Sequence, residues 1–119
     1  MPNVLLAEDE FLIRAVLVDA LEDAGVVCIE ASTGREALDI VESTTPLAAI
    51  IVDIGLPDMS GGDVIEAAAR CRPGIPIICC SGAATPATFA KAADVHSFPK
   101  PYSAAELSRF VSSLIGAGP

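Results

Sequence analysis

Three stretches of the chain, Val4-Leu-Leu-Ala7, Leu47-Ala-Ala-Ile-Ile-Val52 and Ile75-Pro-Ile-Ile-Cys-Cys80, are apolar almost throughout. A strand with one wet face alternates apolar and polar residues. A run with hardly a polar position suits a strand covered on both faces, as in a parallel sheet packed between helices. The intervening segments have helical periodicity. After Glu10, apolar residues fall at Ile13, Val16, Leu17, Ala20, Leu21 and Ala24, one face of a helix, and Gly25 supplies a stop. Val26–Ala31 reads as a strand. Thr33-Gly-Arg-Glu36 has the form of a capping box, and Ala37, Leu38 and Val41 continue a helix that Thr44-Thr-Pro46 ends. Gly61-Gly62 precedes a helix over Asp63–Arg70, and Arg72-Pro-Gly74 is a loop. Thr85-Pro86 opens a short helix toward Ala93. Val95–Phe98 reads as a weaker strand. Ser103-Ala-Ala-Glu106 is a second capping box, leading into a helix faced by Leu107, Phe110, Val111, Leu114 and Ile115. Strand followed by helix, five times over, predicts a doubly wound α/β sandwich with right-handed crossovers. Ligands of such sheets bind beyond the carboxyl ends of the strands.

Composition narrows the function. The 119 residues suit one domain, 1–119. Apolar residues make up 52% and aromatics 4%, with no Trp, so the core must be built from Val, Ile, Leu and Ala. A net charge of −9 without a basic cluster argues against nucleic acid and anionic membrane surfaces as partners. It favours proteins or cations. Met-Pro-Asn is no secretory signal and no run is long enough to span a bilayer, so a cytoplasmic location is expected. Cys28, Cys71, Cys79 and Cys80 lack zinc spacing and read as small hydrophobes, with Cys79 and Cys80 on opposite faces of a strand. His96, the only histidine, reads as structural.

The polar residues that end the apolar runs carry the chemistry. Glu8 and Asp9 follow the first run, Asp53 the second and Ser81 the third; Lys100 follows the weaker Val95–Phe98. If the strands are parallel neighbours, these groups are carried into the open at one edge of the sheet and converge. Carboxylates about 4 Å apart repel by about 4 kcal/mol at an effective dielectric near 20. A hard divalent cation offsets this, and Mg²⁺ favours one or two carboxylates plus water. Lys100 adds a compact positive charge. Metal, ammonium and hydroxyl together suit a tetrahedral anion, and a carboxylate is the nucleophile best placed to attack phosphorus.

These residues resemble the response-regulator receiver domain of two-component signalling. The match rests on Val4-Leu-Leu-Ala-Glu-Asp-Glu10, Ile51-Val-Asp-Ile-Gly-Leu-Pro-Asp-Met-Ser-Gly61, Ile77-Ile-Cys-Cys-Ser-Gly82 and Lys100-Pro101, in that order. The resemblance implies a flavodoxin-like (βα)5 fold with strand order 2-1-3-4-5. It implies that Asp53 is the phosphoacceptor, taking a phosphoryl group from a phosphohistidine on a sensor histidine kinase or histidine phosphotransfer protein. Asp9 would bind Mg²⁺ directly, Glu8 largely through water, and Gly55 through its backbone carbonyl. Ser81 would turn toward the phosphoryl group, Lys100 would pair with its oxygens, and Pro101 matches the adjoining family proline. Gly55 and Ala83 occupy positions that tune acyl-phosphate hydrolysis, and their small side chains imply an intermediate lifetime.

Two features depart from the family. Ser97 stands where receivers carry Tyr or Phe, and Phe98, one residue later, would face the other side of the strand. The stretch from Ser81 to Lys100 is short, implying a shortened fourth helix. Only Gly116-Ala-Gly-Pro119 follows the last helix, so a stand-alone receiver without an output domain is expected. Such a receiver would be a monomer or weak dimer that signals to a downstream protein target. Two other readings compete. A Mg²⁺-dependent phosphohydrolase with an aspartyl nucleophile would need a second Asp where Gly55 stands. A phosphate-independent pseudo-receiver scaffold would not need the acid set.

Overall fold

A computed structural model describes residues 2–81, 95–99 and 102–115, with Ser81 and Pro99 described by their backbone. The elements are β1 (Asn3–Ala7), α1 (Phe11–Asp23), β2 (Val27–Ala31), α2 (Gly34–Glu42), β3 (Ala49–Asp53), α3 (Gly61–Cys71), β4 (Ile77–Ser81), β5 (Val95–Pro99) and α4 (Ala104–Ile115). All strand pairs are parallel and the sheet order is β2-β1-β3-β4-β5, as expected. The helical segment expected from Thr85 to Ala93, and with it the shortened fourth helix, lies outside the described residues.

The apolar runs form the centre of the sheet. Every residue of β3 is buried, as are four of the five in β1. One face packs on α2 and α3 through Leu5, Ile50, Val52 and Ile77 against Ala37, Val41, Val64 and Ile65. The other packs on α1 and α4 through Leu6, Ile51 and Ile78 against Leu17, Leu21, Leu107 and Val111. Cys79 joins the first layer and Cys80 the second, so the adjacent cysteines do face opposite ways; Cys28 is half-buried and Cys71 exposed. No helix of the described residues is long and apolar enough to cross a membrane.

Side chains beside α3 hold both ends of α2. At its start, Thr33 Oγ1 accepts from the Glu36 N–H at 3.1 Å, and the Asp58 carboxylate accepts from the Gly34 and Arg35 amides at 2.7 and 3.0 Å. At its end, the Arg72 guanidinium donates to the carbonyls of Ile40, Val41 and Ser43. An acid at the amino end and a cation at the carboxyl end both complement the helix dipole. The pairs lock α2 to the flanks of α3 rather than merely against its face.

Candidate functional site

The sheet register brings the ends of β1 and β3 side by side. Ala7 pairs with Val52, so Glu8 and Asp9 leave β1 where Asp53 ends β3. One carboxylate oxygen from each of Glu8, Asp9 and Asp53 lies within 4.8 Å of the others. The convergence expected for these three residues is present. Their exposure is not as expected: Glu8 is 2% and Asp53 6% exposed, and only Asp9 stands in solvent. The hollow is a buried acid pair with one exposed acid at its lip.

The backbone holds these groups in place. The Gly55 N–H donates to Asp53 Oδ1 at 3.0 Å, and the Ile54 N–H donates to the Cys80 carbonyl at 3.1 Å. The Glu8 N–H donates to the Ala31 carbonyl, while its carboxylate accepts from the Glu10 N–H at 3.1 Å. Arg14 donates to the Glu8 carbonyl at 2.8 Å and is itself held by Glu30 at 3.0 Å. Sequence reasoning overlooked Arg14; a cation in the first turn of α1, just after the acids, was the available signal. Burial above all pushes the Glu8 carboxyl up to about 7; the Glu10 amide opposes this, and the Asp53 charge and a side-chain hydrogen bond to Asp53 add to it.

The remaining expected site residues are only partly described. Ser81 ends β4, one residue beyond Cys80, which pairs with Asp53. Lys100, Pro101 and Ala83 lie outside the described residues. Gly55 is exposed, and a Cβ there would sit 3.7 Å from Asp53 Oδ1, an ordinary contact, so the position has room for a side chain. Ser97 is exposed, whereas Phe98 packs into the α1 and α4 layer against Tyr102 and Phe110, with centroids 5.4 Å away in both cases. Phe98 therefore faces away from the side of the strand that Ser97 occupies. His96 stacks edge-on against Phe110, in line with a structural role. Tyr102 is a second residue that sequence reasoning missed: its ring packs on Phe98, and burial first, then Cys80, Glu8 and Asp53, raise its pKa.

The geometry fits a hard cation. Three hard oxygen donors converge, and one of them is a carboxyl that burial keeps partly protonated when no cation offsets the charge.

Comparisons with known proteins point the same way. The sequence pattern of the response regulator receiver domain matches residues 4–111. The sensor kinase CckA of Brucella abortus is 34% identical over 118 residues, which cover 95% of this chain and 12% of that protein. The chemotaxis protein CheY of Thermotoga maritima is 35% identical over 80 residues, 66% of each chain. A CheY-like receiver domain from Methanospirillum hungatei superposes with a TM-score of 0.87 at 28% identity, covering 98% of this chain and 94% of that one.

Proposed function

This chain belongs to the response regulator receiver domain family of two-component signalling, and from that premise we propose that Asp53 is a phosphoacceptor. An Asp53 oxygen attacks the phosphorus of a partner's phosphohistidine; the P–N bond breaks, an acyl phosphate forms, and the imidazole takes up a proton. The observation that carries this reading is the buried Asp53 held within 4.8 Å of two further carboxylates at the strand ends. Asp9, Asp53 and the Gly55 carbonyl would hold Mg²⁺ directly and Glu8 through water. The bound ion would supply positive charge to the transferring phosphoryl oxygens. The Gly55 amide orients the Asp53 carboxylate through Oδ1. Lys100 would pair with the phosphoryl oxygens and Ser81 would donate to one of them, linking phosphorylation to the adjoining face. The chain would act as a cytoplasmic switch or phosphoryl shuttle toward a downstream protein.

Incubation with a small phosphodonor and Mg²⁺ tests the reading. One phosphoryl group per chain is expected, none in Asp53→Asn. Mg²⁺ alone should raise the unfolding midpoint, because it binds the folded hollow, and Asp9→Ala should remove that gain. Steady release of phosphate from a generic ester would support the phosphohydrolase instead. An unlabelled chain would leave the scaffold.

The start of α1 suits the phosphodonor protein. Phe11, Leu12 and Val16 are 70%, 76% and 57% exposed, directly after the acid pair. Leu12 and Val16 also line a groove of about 290 Å³ that ends at Tyr102. Large apolar side chains in solvent beside a reactive group mark a docking surface. Leu12→Asp should cut phosphotransfer from a phosphohistidine protein about tenfold or more, as for an interface anchor, while labelling by the small donor changes less than about twofold. Equal losses in both assays would remove α1 from the interface.

A further inference from the structure

We propose that Asp58 is a positioning residue of the Asp53 site, acting by latching the loop between β3 and α3 onto the amino terminus of α2. This inference rests on the phosphoacceptor reading for its functional consequence, but its geometry stands without it.

The loop is short and carries two of the groups that matter. It begins at Asp53, includes Gly55, and ends where Ser60 caps α3 by accepting from the Gly62 N–H at 3.1 Å. Its inner half is tied down locally. The Gly61 N–H donates to the Ile54 carbonyl at 3.1 Å, and Leu56 is buried. Its outer half, residues 57 to 60, reaches the rest of the protein through Asp58 and Met59. Asp58 is solvent-exposed, yet both of its carboxylate oxygens are used. Oδ1 accepts from the Gly34 amide and Oδ2 from the Arg35 amide, 24 and 23 residues earlier in the chain. An exposed carboxylate that only had to start a turn would bond within its own loop. This one bonds chiefly a different helix, at the end where the dipole favours it, and those amides, ahead of the loop's own at Asp58 and Met59, lower its pKa.

The receiving side is shaped for the contact. Gly34 is buried, and a Cβ there would run into Met59 Cγ and lie 3.2 Å from Asp58 Oδ1. The missing side chain is thus the space into which the loop settles. The post to which the loop is latched is itself fixed, since Arg72 grips three carbonyls at the far end of α2. Between Asp58 and Asp53 lie four residues, and Gly55, whose amide holds Asp53 Oδ1, is among them. Releasing Asp58 frees the outer loop and, through it, the Gly55 amide. Displacing a reacting group by about an ångström costs up to about a hundredfold in rate.

The test compares Asp58→Ala with Thr33→Ala. Both weaken the start of α2, but the Thr33 hydroxyl caps the Glu36 amide within α2 rather than holding the loop. Amide hydrogen exchange is read at Gly55, and Asp53 labelling by a small phosphodonor is read at a temperature where all variants are folded. Expected in Asp58→Ala are a Gly55 exchange rate raised about tenfold and labelling slowed about tenfold. In Thr33→Ala both should stay within about twofold of the wild type. Asp58→Asn keeps one acceptor oxygen and should fall between, so it carries the test if the alanine variant does not fold. Gly34→Ala should mimic Asp58→Ala by pushing Met59 outward. Equal Gly55 exchange in Asp58→Ala and Thr33→Ala overturns the latch, whatever the labelling shows. Faster Gly55 exchange in Asp58→Ala in a chain whose wild type takes no label leaves the latch standing and overturns the phosphoacceptor reading instead.

Discussion

In metal-free buffer at pH 8, Asp53→Asn is expected to unfold at a higher temperature than the wild type, and at pH 5 the difference is expected to shrink. At pH 8 the Glu8 carboxyl is above its raised pKa, in a hollow where Glu8 and Asp53 are 2% and 6% exposed and their oxygens lie within 4.8 Å. Like charges at this separation cost about 3 kcal/mol at an effective dielectric near 20, so removing one should return about 2 kcal/mol. Glu8 has a folded pKa raised from 4.5 to about 7. Between those values the folded chain holds a proton that the unfolded chain has released. Stability from this group is therefore complete below pH 4.5 and is lost as the pH rises through about 7, by roughly 3 kcal/mol in all. At pH 5 the Glu8 carboxyl is neutral and only the solvent-exposed Asp9 remains beside Asp53, so the substitution gains less there. Burial, the largest cause of the Glu8 shift, survives the loss of Asp53. The pH slope should accordingly persist, reduced, in Asp53→Asn and disappear in Glu8→Gln. Thermal melts of the three proteins in chelator at pH 5 and pH 8 decide the matter. An unchanged midpoint for Asp53→Asn at pH 8 would mean that the acids do not crowd one another.

The burial of this acid pair is also where the sequence was least legible. Strand ends were readable because β1, β3 and β4 lack the alternation of a half-wet sheet, and the convergence of residues 8, 9 and 53 followed from parallel pairing. The depth of the hollow did not follow. Whether an acid after a buried strand is exposed depends on the loops around it, here the turn whose Gly55 amide bonds Asp53 Oδ1, and no local pattern encodes that. Boundaries moved for similar reasons. β4 starts at Ile77 rather than Ile75, because Pro76 has no amide to donate and contributes only its carbonyl, to Ile50 at 3.0 Å. At the start of α2 the box is offset: the Glu36 carboxylate accepts chiefly from the amide and hydroxyl of Ser32. The helix α3 begins at Gly61, two residues before the expected Asp63, because Ser60 supplies the cap and the glycines sit inside the first turn. An Asp after Pro57 suits turn chemistry, yet the partner of Asp58 is the start of α2, more than twenty residues earlier. Contacts of that kind are tertiary, and their only sequence trace is the glycine at 34.

Gly61 shows what such a trace is worth when it is tested. A Cβ at this position would lie 2.6 Å from Ile54 Cα and 2.7 Å from the Asp53 carbonyl oxygen. Both are backbone atoms, so no flexible side chain can swing aside. To admit even a methyl group, either the first turn of α3 must lift or the end of β3 must move. Gly61→Ala is therefore expected to destabilise the fold by about 3 kcal/mol, at the upper end for an added methyl in a packed interior. That corresponds to a fall in the unfolding midpoint of roughly 10 °C or more for a domain of this size. The displaced backbone is that of Asp53 itself, so the variant should also label far more slowly than its stability loss explains. Gly25→Ala is the matched control. There the obstacle is a φ of +85° with nothing within 4 Å of the added atom, so the cost is the backbone strain alone, about 1 kcal/mol. Gly25 ends α1 at the far edge of the sheet from the hollow, and its variant should label at the wild-type rate. If Gly61→Ala melts and labels like Gly25→Ala, the close approach of α3 to Asp53 is not what sets the site.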